Sequence, residues 1–265
     1  MLIDFYKYQG TGNDFVIIDN RDGNFDSNNV ELVRFLCDRR MGIGADGLML
    51  LEKNDRTEVD FTMRYYNSDG KPASMCGNGG RCIAAFAVRI GAVNDATEFN
   101  FEAEDGMHIA KYKNGIVSLK MTDVAKIDAG EGYYFLNTGV PHYVAHRTNI
   151  IDIDILNKGS KIRYSEEYKP NGTNVNYVEE LGGNRIKVRT YERGVEDETY
   201  SCGTGVVASS IATFVKNKQA KLFDVDVKGG KLQVHFDGDD KTGFYNIWLI
   251  GPATMVFKGR IGNGL

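Results

Sequence analysis

Two stretches of the chain carry residues suited to acid–base chemistry at carbon. The first is Cys76-Gly77-Asn78-Gly79-Gly80-Arg81-Cys82, followed by the apolar run Ile83 to Val88. The second is Cys202-Gly203-Thr204-Gly205, followed by Val206 to Val215. In each, a cysteine precedes Gly-x-Gly and a small, apolar, helix-compatible segment. A thiol just ahead of a helix start sits where unpaired N–H groups and the positive end of the dipole point outward. That lowers a cysteine pKa and creates an anion site beside it. Two such thiols in comparable places suggest one reaction: one removes a proton from carbon as a base, and the other returns a proton to the opposite face, inverting the configuration. The carbanion of an amino acid spreads onto its carboxylate, which backbone N–H groups of Gly77-Asn78 and Gly203-Thr204 are placed to stabilise. Glu192 and Asn67 are the nearest candidates to hold an α-ammonium. No pyridoxal-phosphate lysine context and no metal-ligand cluster is apparent, so the expected reaction runs without a cofactor.

The elements that must position these residues recur. A strand ends at Asn67 nine residues before Cys76, and another ends near Glu192 ten residues before Cys202. Each cysteine is followed by a helix, expected from about Gly80 to Ile90 and from 204 to 217, and each helix lies among short strands. The expected architecture is α+β: two pseudo-symmetric domains, each a curved, mostly antiparallel sheet or barrel around a central helix, with the active site in the cleft between them. The polar stretch Thr122 to Gly132 marks the boundary. Residues 1–122 form the first domain, to which a last strand within 252–265 returns, and 123–251 form the second.

Other stretches read more plainly. Gln9 to Asp14 is a tight turn between strands 2–8 and 14–20. Ser27-Asn28 caps a helix to about Arg40. Gly42-Ile43-Gly44-Ala45-Asp46-Gly47 matches G-x-G-x-x-G, but a helix precedes it and the strand Leu48-Met49-Leu50-Leu51 follows, the reverse of a dinucleotide fingerprint. It reads as a glycine-rich turn. A short helix near 152–158 and strands near 133–137, 142–147, 173–180, 184–191, 220–228, 231–236 and 243–250 complete the second half.

Composition bounds the function class. Hydrophobic residues make up 42% and charged residues 26%, the balance of a soluble globular chain. A net charge of −4 and the lack of any Lys/Arg run beyond a pair argue against nucleic acid as a partner. Thirty-one glycines against four prolines indicate tight turns rather than disordered linkers. No apolar segment approaches a membrane span, and Met1 to Phe5 do not open a signal peptide, so the expected location is the cytoplasm. Four cysteines in this length are not a disulfide framework; Cys37 and Cys82 read as core.

Several motifs together resemble the diaminopimelate epimerase family: Gly10-Thr11-Gly12-Asn13-Asp14-Phe15, Gly42 to Gly47, Asn67-Ser68-Asp69-Gly70, Cys76 to Cys82, Glu192-Arg193-Gly194 and Ser201-Cys202-Gly203-Thr204-Gly205. The match covers essentially the whole chain, although Cys-Gly-Thr-Gly alone is shared with proline racemase-like relatives. The resemblance implies conversion of LL- to meso-2,6-diaminopimelate, in lysine and cell-wall precursor synthesis, without pyridoxal phosphate. It implies Cys76 as thiolate base and Cys202 as thiol acid in that direction. Gly77, Asn78, Gly203 and Thr204 would hold the reacting carboxylate, and Asn67 and Glu192 the α-ammonium. Asn13, Asn174 and Arg193 would recognise the distal end, where a guanidinium can grip a carboxylate with two bonds. His142 and Glu192 would modulate the thiols, and an aromatic in the last strand, here Phe257, would serve a homodimer.

This sequence departs from the family pattern in three places. Val140 precedes Pro141-His142 where many members have Asn. Gly47 stands where many have Gln. The segment Val195-Glu196-Asp197-Glu198 is one residue longer than in several relatives. Two other readings compete: a racemase or epimerase for proline or hydroxyproline, which lack a distal charged end, and a thiol-redox protein in which Cys76 and Cys202 form a reversible disulfide.

Overall fold

The computed structural model describes residues 2–94 and 98–262. Residues 1, 95–97 and 263–265, which fall within the ranges expected for the first domain and the last strand, lie outside the described residues. The chain divides into two compact units, one of residues 1–119 with 251–265 and the other of residues 120–250.

The first unit begins with a hairpin of β1 (Leu2–Gly10) and β2 (Asn13–Asp19). Gly10 pairs with Asn13, and the two turn residues Thr11 and Gly12 both have positive φ, the mirror-image turn that matches strand twist. Helix α1 (Val30–Cys37) leads to β3 (Gly47–Glu52) and β4 (Phe61–Asn67). Helix α2 (Gly77–Arg89) then leads to β5 (Glu98–Ala103), β6 (Gly106–Lys113) and β7 (Ile116–Lys120).

The second unit contains β8 (Ile127–Gly130), β9 (Tyr133–Asn137), β10 (Pro141–His146), α3 (Ile155–Arg163), β11 (Asn174–Gly182) and β12 (Arg185–Glu192). It continues with the two-residue β13 (Asp197–Glu198), α4 (Gly203–Asn217), β14 (Leu222–Val227), β15 (Gly230–Asp239) and β16 (Gly243–Pro252). The chain ends with β17 (Thr254–Gly262), which pairs antiparallel with β1 in the first unit.

The two sheets repeat one pairing scheme. In the first unit the order is β17-β1-β2-β3-β4-β5-β6-β7. In the second it is β8-β9-β10-β11-β12-β14-β15-β16, with β13 beside β12. Both run antiparallel, antiparallel, parallel, antiparallel, parallel, antiparallel, antiparallel. Each parallel neighbour needs a crossover, and helices α1, α2, α3 and α4 supply them at matching places.

Helices cover both faces of the central strands in the first unit. Val16, Ile18, Leu48 and Leu50 pack with Leu32, Val33 and Leu36 of α1. The alternate residues Phe15 and Met49 lie against Gly79 of α2. Burial on both sides explains why β2 and β3 read as continuous apolar runs. In the second unit Val175, Tyr177 and Tyr191 pack with Ile155 of α3, and α4 is buried from Gly205 through Phe214. Such a helix, buried on all sides with the hydroxyls of Ser210 and Thr213 bonded to carbonyls one turn back, belongs in a core.

Four boundaries differ from expectation. Helix α1 is capped by Asn29, whose side chain accepts from Leu32 N at 3.0 Å, and it ends at Cys37 rather than near Arg40. There the Asp38 carboxylate turns back to the N–H groups of Arg40 and Met41, both at 2.7 Å. Helix α2 starts at Gly77, three residues earlier than its glycines suggest. Helix α3 starts at Ile155, where Asp154 accepts from Asn157 N at 3.1 Å, and runs on to Arg163. The polar stretch after Thr122 includes β8 and a bridge between Val124 and Phe244.

Candidate active site

Cys76 is the N-cap of α2. Its backbone is extended, and its sulfur accepts the Gly79 N–H at 3.2 Å, the place a Ser or Asp oxygen usually fills. Gly79 is closely approached: a Cβ there would stand 3.3 Å from Cys76 Sγ and 3.4 Å from Met49 Sδ. The sulfur lies 3.9 Å from Asn13 Oδ1. The hairpin turn delivers Asn13, whose Oδ1 also meets Asn78 Nδ2 at 3.5 Å.

A charged network holds that turn. Asp46 Oδ2 accepts from Asn13 Nδ2 at 2.6 Å and from Asp14 N at 3.1 Å. Arg39 forks onto both Asp14 oxygens and also meets Asp46 at 2.7 Å. Buried Lys7 pairs with Asp14 at 2.7 Å and donates to the Gly44 carbonyl. Burial works against an Asp14 carboxylate, but hydrogen bonds and charge from Arg39 and Lys7 prevail and hold it well below the usual range. The glycine-rich stretch before Gly47 is therefore a turn, as its neighbours imply, and its Asp46 reaches back to the first motif.

Arg81, one helical turn beyond Gly77, is fully buried. Its guanidinium donates to Gly77 O at 3.2 Å, Asn78 Oδ1 at 3.0 Å and Thr11 Oγ1 at 3.1 Å. Asn67 ends β4, exposed, opposite Gly47. Cys37 and Cys82 are buried and their thiols are pushed up by burial, Cys37 to about 12.

Cys202 occupies the matching position ahead of α4, with extended backbone, but its sulfur makes no capping bond. It approaches Thr204 Oγ1 at 3.4 Å, and Thr138 Oγ1 donates to the Thr204 carbonyl at 3.1 Å. A Cβ on Gly205 would stand 2.4 Å from Asn176 Oδ1, so this glycine lets α4 sit on Asn176. Asn176 Oδ1 accepts from Thr190 Oγ1 at 2.9 Å, and its Nδ2 donates to Tyr143 O and His142 Nδ1, both at 3.0 Å. The carbonyl partner fixes the amide orientation, so His142 Nδ1 accepts and the ring carries its proton on Nε2. Burial, with the charge of Arg193 adding to it, lowers the His142 pKa to about 3. Its Nε2 is buried without a hydrogen-bond partner among the described residues.

The end of β12 and the loop after it carry Glu192 and Arg193, both half-buried. Asn174 at the start of β11 accepts from Arg193 N at 2.8 Å and donates to Pro141 O at 3.2 Å. Both ends of its amide thus hold backbone, which fixes Arg193. The Arg193 guanidinium donates to Asn171 O at 3.2 Å and pairs with no carboxylate among the described residues.

Most of the chain matches one family model, in two successive segments. The model described as diaminopimelate epimerase fits residues 5–127 and again residues 134–256. The chain belongs to the diaminopimelate epimerase family. It is 49% identical to the diaminopimelate epimerase of Flavobacterium psychrophilum, over 97% of this chain and 99% of that one. It is 42% identical to that of Chlorobaculum tepidum, over 95% and 98%. Among solved structures, a PhzF-family phenazine biosynthesis protein of Bacillus anthracis superposes with a TM-score of 0.77 at 14% identity, covering 99% of both chains. A probable proline racemase of Agrobacterium radiobacter gives 0.69 at 15% identity, covering 98% of this chain and 93% of that one. These place the fold, while membership of this isomerase family rests on the sequence matches.

One departure from the family pattern has a structural counterpart. A Cβ on Gly47 would lie 2.5 Å from Tyr65 Cε2 and 3.1 Å from its hydroxyl, so the Tyr65 ring occupies the space over this position. Val140 is half-exposed, and its carbonyl accepts from Thr138 N at 3.1 Å. Sequence reasoning gave no role to Asp46, Arg81 or Asn176. The available signals were a charge inside a buried apolar helix and an acid in a glycine turn, whereas Asn176 had none.

Proposed function

We propose that this chain interconverts LL- and meso-2,6-diaminopimelate by removing an α-proton with one thiol and replacing it with the proton of the other, without a cofactor. In the forward direction the Cys76 thiolate takes the α-proton; an S–H bond forms as the C–H bond breaks, and the electron pair passes onto the carboxylate. Cys202 then gives its proton to the opposite face and is left as thiolate. The two cysteines end with exchanged protonation states, which reverse turnover or exchange with water resets. The observation that carries this reading is that both cysteines occupy the N-cap position of the central helix at equivalent places in a duplicated fold.

The remaining roles follow from chemistry. First-turn N–H groups of Gly77-Asn78 and Gly203-Thr204 receive the developing carboxylate charge. Asn67 and Glu192 take the α-ammonium. Asn13 serves the distal end directly, and Asn174 serves it by fixing Arg193. The guanidinium of Arg193, with no protein carboxylate partner among the described residues, favours a substrate with a second carboxylate and disfavours proline. His142, as the Nε2–H tautomer, and Glu192 tune the thiols. The role extends to lysine and cell-wall precursor synthesis in the cytoplasm. A homodimer would use Phe257, which is 45% exposed beside exposed Val256 and packs edge-on against Phe5 at 5.9 Å.

Incubating reduced protein with LL-diaminopimelate in heavy water tests the reading. Loss of the α-proton NMR signal with formation of the meso isomer is the expected result. Exchange with proline and none with diaminopimelate would transfer the chain's activity to the other substrate class.

A further inference from the structure

We infer that Arg81 is a positioning residue that holds Cys76 as the resting thiolate, and that the lack of a cation at the equivalent place in the second unit leaves Cys202 as the thiol. The catalytic meaning of this rests on the two-thiol reading above; the charge assignment does not.

The Arg81 side chain is among the largest fully buried in the molecule, and its partners are all neutral. They are the Gly77 carbonyl, the Asn78 amide oxygen, the Thr11 hydroxyl and, at 3.5 Å, the Pro252 carbonyl. Among the described residues no carboxylate lies within ion-pair distance of it. A buried cation without a counter-charge is costly, so the surroundings favour an anion nearby.

The strands around α2 do not supply that anion: on β3 Glu52 pairs with Arg64 at 2.6 Å, and on β2 Asp19 pairs with Arg21 at 2.7 Å. On β1 and β2, Lys7 and Asp14 neutralise each other at 2.7 Å, and burial raises the Tyr8 pKa to about 12, keeping it neutral. On β6, His108 pairs with Asp105 at 3.1 Å, and on β17 Arg260 pairs with Asp4. Two thiols remain, Cys82, next to Arg81 in the chain, and Cys76, the N-cap residue directly before the Gly77 whose carbonyl Arg81 binds at 3.2 Å. Cys82 is fully buried and its thiol is pushed far up by burial, so it stays protonated. Cys76 is half-exposed and already accepts the Gly79 N–H. It is the group able to carry the compensating charge. The longer approach of Asn13 Oδ1, at 3.9 Å, favours the thiol and is the weaker influence. Burial lowers Arg81 to about 10, which still leaves it charged at neutral pH.

The duplication supplies an internal control. Five residues after Cys76 stands Arg81; five after Cys202 stands Val207, also fully buried. The first sulfur is capped by a backbone N–H and has a buried guanidinium in the second turn of its helix, whereas the second makes no capping bond and has an apolar side chain at that place.

The test is the pH dependence of alkylation of the reduced protein by iodoacetamide, with Cys76 and Cys202 followed as separate peptides. The midpoint reports the pKa; accessibility alters only the plateau rate. The parent is expected to show Cys76 at least one pH unit below Cys202. Arg81→Met is expected to raise the Cys76 midpoint by a unit or more, a tenfold fall in its acid dissociation constant, without moving Cys202. Arg81→Lys, which keeps the charge but not the fork, is expected to stay near the parent. If both variants lose stability while the Cys76 midpoint holds, Arg81 is only a prop and the inference is overturned. Cys76 titrating at or above Cys202 in the parent overturns it whether or not either variant folds. The expected midpoints without α-proton exchange would support the charge assignment while removing the functional reading.

Discussion

Asn13 donates its side-chain amide to Asp46 at 2.6 Å, and this one bond decides what the first thiol faces. A carboxylate only accepts, so the Asn13 NH2 must point to Asp46 and its carbonyl oxygen toward Cys76 and Asn78. Asp46→Asn removes that constraint and weakens the tie to Arg39. KM for diaminopimelate is expected to rise about tenfold, in line with loss of one charged hydrogen bond. Steady-state kinetics beside Arg39→Gln as a control would check this; an unchanged KM would take Asp46 out of the site.

The two cysteines should separate in stability while agreeing in activity. Cys76→Ala removes the sulfur that caps α2 and is expected to cost about 1 kcal/mol. Cys202→Ala removes no capping bond and should cost less. Both should abolish epimerisation. Urea melts and the heavy-water assay on each variant measure the two effects, and substantial turnover in either would sink the two-thiol mechanism.

Gly205 and Gly79 occupy the same position in the duplicated motif but tolerate a methyl group differently. A Cβ on Gly205 meets Asn176 Oδ1 at 2.4 Å, whereas the nearest atom to one on Gly79 is Cys76 Sγ at 3.3 Å. Gly205→Ala is expected to destabilise by about 1–3 kcal/mol, as overpacking does, and Gly79→Ala by less. Equal melting points for the two variants would contradict the packing described for α4.

Stability should also report two histidines buried in the neutral state. Burial lowers His142 to about 3 and His146 to about 4. Both folded values lie below the unfolded value near 6.5, so the unfolded chain binds more protons in the interval between. Stability is then fully present above about pH 6.5 and falls as the pH drops toward the folded values. The limiting slope is about 1.4 kcal/mol per pH unit for each histidine. His142→Leu should remove roughly half of the pH dependence between pH 6.5 and 5, leaving the part due to His146. Chemical melts across that range decide it, and an unaltered slope would refute the burial of a neutral His142.

The sequence by itself determined the repeated Cys-Gly-x-Gly motif, the central helices behind it and the family. Those features are local: a glycine pair after a thiol and an apolar run of helical length are visible without knowing what packs on them. Even there, the start of α2 at Gly77 escaped notice, because a cysteine sulfur rather than a hydroxyl or carboxylate caps it. Only the tertiary structure decided which polar groups meet. Asp46 lies 33 residues from Asn13 and Thr11 lies 70 from Arg81, yet each pair shares a hydrogen bond. Asn176 reads as an ordinary strand residue until the register of β10, β11 and β12 sets it between His142 and Thr190. Hydrogen bonds of this kind depend on side-chain direction to within a few tenths of an ångström. Strand register and helix packing set that direction, and neither is written in the spacing of residue types.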